Sequence, residues 1–368
     1  MKACGIHQQV LEIIRSWLGT RTATVVVDGC ESEPFAFNNS VYQGTTWGPP
    51  LRNHYYGDAK HAIHHANFVE SIFAEDLNAF QGFDTSINDT QIMEAMGKCQ
   101  NYLHAWGNAN QICFDPNKES FHIFHPKSKQ SGSFRMLGIN FDIQLKMEQA
   151  ICEIAAQSHT RLSMLLRCRK FYDREYLLRL YKSFVLSGIE FATPTLYHSS
   201  KYALRPLEKV QDRLLEELGF TEMDLLSHHS LAPLRCREGI SMLGLLQRVM
   251  MGWAPACFQQ FIYASNRPSF PRSLRAPHLR HNRQINDPSD GTESRLMSRS
   301  IFSLIYTYNC LPQVVVDSSS ISIFQRHLQR ALISAADSGF ENWQFIYSSG
   351  IRKTSVAKFQ SFFNIGHR

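Results

Sequence analysis

At Lys146 the spacing of apolar residues changes period, and no other feature constrains the fold as strongly. Upstream, short runs rich in alternating, β-branched and aromatic residues lie between turns rich in Gly, Pro and Asn. Strands read this way because successive side chains point to opposite faces. From Lys146 to about Tyr263 the stretches "MEQAICEIAAQSHTRLSMLLRC", "REYLLRLYKSFVLSGIEFATPTLY", "LRPLEKVQDRLLEELG" and "EGISMLGLLQRVMMGWAPACFQQFI" carry a helical pattern instead. A single sheet or a single bundle cannot satisfy both periods. An α+β part followed by an all-helical part can.

The first part divides at its turn signals. "HQQVLEIIRSWLG" has apolar residues at 10, 13, 14, 17 and 18 and stops at Gly19, which predicts a helix. "TATVVVDG" predicts a strand ending in an Asp-Gly turn, with "EPFAFN" as its hairpin partner. "VYQGTTWGPP" is a loop, and "PLRNHYYGDAKHAIHHA" predicts one helix with Pro50 at its start. "NFVESIFAEDLNAFQ" predicts a hairpin with Glu75 and Asp76 near its tip. "DTQIMEAMGKCQNYLHAWGNAN" is an amphipathic helix that Asn88 or Asp89 can cap. "QICFD", "SFHIFH" and "FRMLGINFD" read as three short strands. Beyond the helical half comes a tract rich in Pro, Arg and His, then a smaller segment with helices expected near 295–308 and 321–337. The expected divisions are 1–146, 147–265, a basic linker at 266–294, and 295–368.

Composition narrows the chemistry. With 43% hydrophobic and 12% aromatic residues, a chain of 368 residues is globular. A formal net charge of +6 permits a polyanionic partner without demanding one. The nine cysteines include no CxxC pair, which argues against a zinc ribbon and for reduced thiols in the nucleus or cytoplasm. No signal peptide is evident, and no apolar run approaches the roughly 20 residues that span a bilayer, so the chain reads as soluble and off the membrane. Neither GxSxG nor GxxxxGK[ST] occurs. His61, His64 and His65 share a helix face at a spacing that zinc can use, but without HExxH they read as a surface cluster.

Glu75 and Asp76 stand out because two adjacent charges inside an apolar hairpin are costly unless something uses them. Hard oxygen ligands suit divalent metals, and polymerases clamp the attacking and leaving oxygens between two of them. The run "VYQGTTWGPPLRN", followed about 20 residues later by "FAEDLNAF", resembles the palm of a non-LTR (LINE-type) retrotransposon reverse transcriptase. Gln43, Gly44, Gly48 and Pro49 match that family's QGxxxGP loop, and Phe73, Ala74 and Asp76 match its Phe/Tyr-x-Asp-Asp hairpin. "WGNANQICFDPNKES" resembles the segment whose lysine, here Lys118, sits near the incoming triphosphate. "FRMLGINFD" resembles the primer-grip hairpin, with Leu137 and Gly138 as the matching pair. The helical half and tail resemble the thumb and connection that follow such palms.

The resemblance implies a partial polymerase palm, an antiparallel sheet with helices, followed by an all-α thumb and connection. It implies template-directed nucleotidyl transfer with Mg²⁺, or Mn²⁺, at Asp76 and Glu75 if the site is still competent. It also implies an RNA template and a DNA primer as partners, with Gln43 and Gly44 touching template or nucleotide. Two departures matter. The family's third carboxylate belongs to a first palm strand, and this chain begins just after where that strand should lie, so that Asp and the fingers are expected to be missing. Glu75 stands where the family has Asp; its extra methylene moves the carboxylate by order 1 Å, which can cost about 10²-fold. Little or no polymerase activity is expected. Read alone, Gln43-Gly44 is also a plain turn before a helix, and Lys118 a solvated loop lysine. The tract carrying Arg272, Arg275 and Arg280 suits phosphate neutralisation, or equally a solvated linker. Arg161, Arg167, Arg169 and Lys170, interleaved with aromatics, suit a groove that tracks a nucleic-acid backbone. A non-catalytic nucleic-acid-binding remnant is the second reading.

Overall fold

The structure is a computed structural model of the chain and describes residues 1–19, 21–36, 44–74, 76–125, 132–265, 281–288, 296–348, 351 and 354–364. It is α+β: small antiparallel sheets among many helices, in two compact units, Met1–Ile123 and Phe124–Arg368. Among the described residues no helix is long and apolar enough to cross a membrane. All nine cysteines are free thiols.

In the first unit, α1 (Gln8–Leu18) starts at His7, whose ring accepts from the Gln9 amide, and stops at Gly19, as its pattern predicts. The expected hairpin follows as two short ladders, β1 (Thr22–Ala23) with β4 (Phe35–Ala36) and β2 (Val26–Val27) with β3 (Cys30–Glu31). Asp28 and Gly29 both have positive φ, the geometry that an Asp-Gly turn supplies between two twisted strands. The single helix expected at 50–66 forms as two, α2 (Gly48–Tyr55) and α3 (Ala59–His65). The break falls at Gly57-Asp58, where Asp58 accepts from the Trp106 indole at 3.0 Å. The hairpin of β5 (Val69–Phe73) and β6 (Asp76–Phe80) is backed by α4 (Asp89–Ala109), and Asn88 and Gln91 close a capping box at the start of α4. The core here is small: Ile63, Phe68 and Cys99, with Leu77, Phe83, Met96 and Leu103 against them.

Two of the three short strands expected after α4 do not form. A strand needs a ladder of partners. Around the first run the backbone closes local turns instead, with Ile112 N donating to Gly107 O at 2.8 Å and Lys118 N to Asp115 O at 3.0 Å. The second run reaches the end of the later hairpin only through His125 N, which donates to Ile143 O at 3.2 Å. The third run forms β7 (Ser133–Met136) and β8 (Ile139–Asp142), which belong to the second unit and sit against α5 (Glu148–Arg167). The break between units thus lies at residue 123, well before the change of period at Lys146.

The second unit is built around α5 and α9 (Lys201–Leu218), which pack along their length. Between them the chain runs through α6 (Arg174–Leu180), a π turn (Tyr181–Leu186), α7 (Ser187–Phe191) and α8 (Thr193–Leu196). Leu162, Val185, Val210 and Leu214 of this layer are fully buried. A second cluster joins α10 (Glu222–His229) and α11 (Leu234–Met250) to α12 (Ile305–Asn309), α13 (Gln313–Val316), α14 (Ile321–Asp337) and α15 (Val356–Ser361). The expected helix at 321–337 is α14; the one near 295–308 is two 3-10 turns followed by α12.

Part of the expected linker is core. Residues 281–288 thread through the second cluster, with His281 and Ile285 buried. Asn309 holds Ile285 at both ends: its side chain accepts from the Ile285 amide at 2.8 Å and donates to the Ile285 carbonyl at 2.8 Å. Ile285 also bridges Ala264 in antiparallel fashion, with Ser265 N donating to Gln284 O at 2.8 Å and Asn286 N to Tyr263 O at 3.0 Å, so the backbone polar groups of this buried segment are paired.

Candidate functional site

The β5–β6 register fixes the direction of Asp76. Phe73 pairs with Asp76, Ser71 with Asn78 and Val69 with Phe80, so these six share one face. Glu70, Ile72, Leu77 and Ala79 share the other, where Leu77 meets the small core and Glu70 bonds His64 of α3. Asp76 therefore opens the return strand on the face turned away from the helices, opposite exposed Phe73, with exposed Phe80 at the far end of the same face. Ala74, which follows β5, has a φ of +48°. Glu75, the other half of the acidic pair, lies outside the described residues.

Gln43 also lies outside the described residues, whereas Gly44 has a φ of +81°, a conformation that glycine adopts at little cost, four residues before Gly48 opens α2. Lys118 is exposed at the end of the Asp115 turn. Its neighbour Glu119 is anchored to α4 by Gln100 and by His104 at 2.9 Å. Among the described residues no hydrogen bond or ion pair joins Gly44, Asp76 and Lys118, and no three His, Cys, Asp or Glu side chains converge to hold a metal. The described donors around Asp76 do not make up a two-metal site.

In the second unit, Leu137 and Gly138 are the two residues between β7 and β8, with φ of +48° and +82°. Glycine suits that position. Leucine does not, because its Cβ crowds the following carbonyl at a cost of about 1–2 kcal/mol. Leu137 is held exposed at the hairpin tip all the same. Arg272, Arg275 and Arg280 lie outside the described residues. Two further residues of that basic tract are committed to the fold. Arg283 donates to Val316 O at 2.9 Å, and the His281 ring bonds Tyr308 O at 3.0 Å while its other nitrogen accepts from the Arg283 amide. Burial, with Arg283 nearby, pushes the His281 imidazole down to about 4, so it is neutral at physiological pH.

The thumb-like basic cluster divides. Arg161 lies over the Phe184 ring at 5.7 Å. Arg167, Arg169 and Lys170, at the end of α5, stand together with Arg213 of α9, which donates to Ser163 Oγ at 3.0 Å. Sequence reading missed Arg213. It flanks the buried stripe of an amphipathic helix, and only the packing of α9 on α5 brings it to the other cations. No protein-family model, no curated protein and no solved structure matches this chain.

Proposed function

We propose that the chain derives from the palm, thumb and tail of a non-LTR retroelement reverse transcriptase, and that it retains nucleic-acid binding with little or no polymerisation. The observation that carries this reading is the β5–β6 register. It pairs Asp76 with Phe73 at the open end of the hairpin, on the face opposite α3 and α4, and an exposed carboxylate there is consistent with a palm hairpin. The order of features supports it as well: Gly44 before α2, then the acidic hairpin, α4, Lys118, the Leu137-Gly138 turn, and a helical layer.

The loss of chemistry follows from Glu75. A longer side chain in a site that demands near-octahedral oxygen geometry displaces one ligand of the pair. Primer extension on an RNA template, with the purified chain and Mg²⁺ or Mn²⁺, tests the reading. No dNTP-dependent product is expected, and Asp76→Ala should change nothing. Robust extension that Asp76→Ala abolishes would overturn the loss of activity. A chain that binds neither RNA nor DNA at low salt would overturn the retained binding.

A further inference from the structure

Where the C-terminal end of α5 meets α9, an open groove of about 490 Å³ is lined by Ser163, Arg167, Arg169, Lys170, Arg213 and Glu217. Four cations face one carboxylate. Glu217 is taken by Arg169 at 2.7 Å, and Arg213 is steadied by Ser163. Arg167 and Lys170 are exposed and make no ion pair among the described residues. A helix C-terminus attracts cations through its dipole, which accounts for Arg167. It does not account for Arg213, which comes from the middle of another helix. The field is felt nearby: burial lowers the His159 pKa, and Arg213 and Lys209 lower it further.

The chain that leaves this end of the helix is aromatic. Phe171, next to Lys170, is 81% exposed. Tyr172 and Tyr176 are exposed too, and their rings stack with centroids 4.7 Å apart and planes 16° apart. Flat apolar faces held in water beside unpaired cations match a ligand that alternates planar rings with anions.

We propose that this groove binds single-stranded nucleic acid, with phosphates against Arg167, Lys170 and Arg213 and unstacked bases on Phe171 and the Tyr172–Tyr176 pair. Every base has a π-face, so such stacking tolerates any sequence, whereas a duplex keeps its base faces covered. Free phosphate would use the cations and leave the rings idle. The assignment rests on the nucleic-acid binding proposed above for its ligand class, while its place comes from the charge and exposure of the helical unit.

Fluorescence anisotropy on the full chain tests it, with a labelled deoxythymidine homopolymer, a blunt duplex of equal length, and inorganic phosphate as competitor. The single strand should bind more tightly than the duplex. Arg167→Gln with Lys170→Gln should weaken binding and flatten its log–log salt dependence by about 1.4, at roughly 0.7 for each phosphate that is no longer neutralised. Tyr176→Ala should weaken binding about tenfold with the salt slope unchanged, and Tyr176→Phe should restore it. Arg167, Lys170 and Tyr176 are exposed, so thermal melts should match wild type. Equal or better binding to duplex would overturn the proposal. So would an unchanged affinity in the double variant, or displacement of the strand by an equal concentration of inorganic phosphate. Asp76→Ala should bind as wild type; if it alone loses the single strand, the groove assignment fails while the palm resemblance stands.

Discussion

Helices α1 and α14 carry equally legible apolar stripes, yet α14 buries Phe324, Leu328, Ala331, Leu332, Ala335 and Ala336, while α1 buries Ile14 alone. The same contrast runs through the two units. In Phe124–Arg368 the helices cover one another in two large clusters. In Met1–Ile123 the cluster is small, and Val25, Val26, Val27, Phe35, Phe73 and Phe80 stand more than a third exposed. A stripe states that a face is apolar. It does not state that the chain supplies a second face to cover it, and without one the hydrophobic gain of roughly 25 cal/mol per Å² is not collected.

The contrast can be broken by substitution. Leu162→Ala, in the fully buried seam of α5, should destabilise the second unit by about 2–5 kcal/mol in urea melts. Val26→Thr, on an exposed two-residue strand, should stay within about 0.5 kcal/mol. If the two substitutions cost the same, the first unit has a cover that the exposures do not reveal.

A second test concerns pH. His281 has a folded pKa of about 4 against an ordinary 6.5. As pH falls below 6.5 the unfolded chain gains a proton that the folded chain refuses. Stability present above 6.5 is therefore lost between 6.5 and 4, up to about 3 kcal/mol. Glu238, which burial pushes up to about 8, acts in the opposite sense: its stabilisation is full below its ordinary value and lost as pH rises through 8. The difference between wild type and His281→Gln isolates the histidine, because Gln offers both a donor for Tyr308 O and an acceptor for the Arg283 amide. Parallel stability–pH curves for the two proteins would remove His281 as the titrating group.

The smallest expected effect sharpens the view of the hairpins. Leu137→Asn should stabilise the second unit by about 1 kcal/mol in thermal melts, since Asn tolerates the left-handed conformation that Leu137 is held in. A loss of stability would mean that the Leu137 side chain does packing work its exposure hides.

Local signals set much of the architecture. Gly19, Asn88 and the Asp28-Gly29 turn acted where they stand, because caps and tight turns are decided within a few residues. The β5–β6 hairpin and α14 were equally legible, each from one unbroken period. Of the candidate site, the sequence determined that an acidic residue opens a hairpin strand and that cations crowd the end of α5. Tertiary structure decided the rest. It built no ladder on residues 111–115, and on 120–125 only the hydrogen bond from His125 N to Ile143 O, so neither apolar run is a strand. It drew His281 and Ile285 out of an apparent linker into the core through Asn309, a contact 24 residues away in sequence for Ile285. It carried Arg213 across from α9 to complete the groove. Period and turn chemistry are properties of neighbours along the chain; which surfaces meet depends on residues far apart, and no local pattern encodes it.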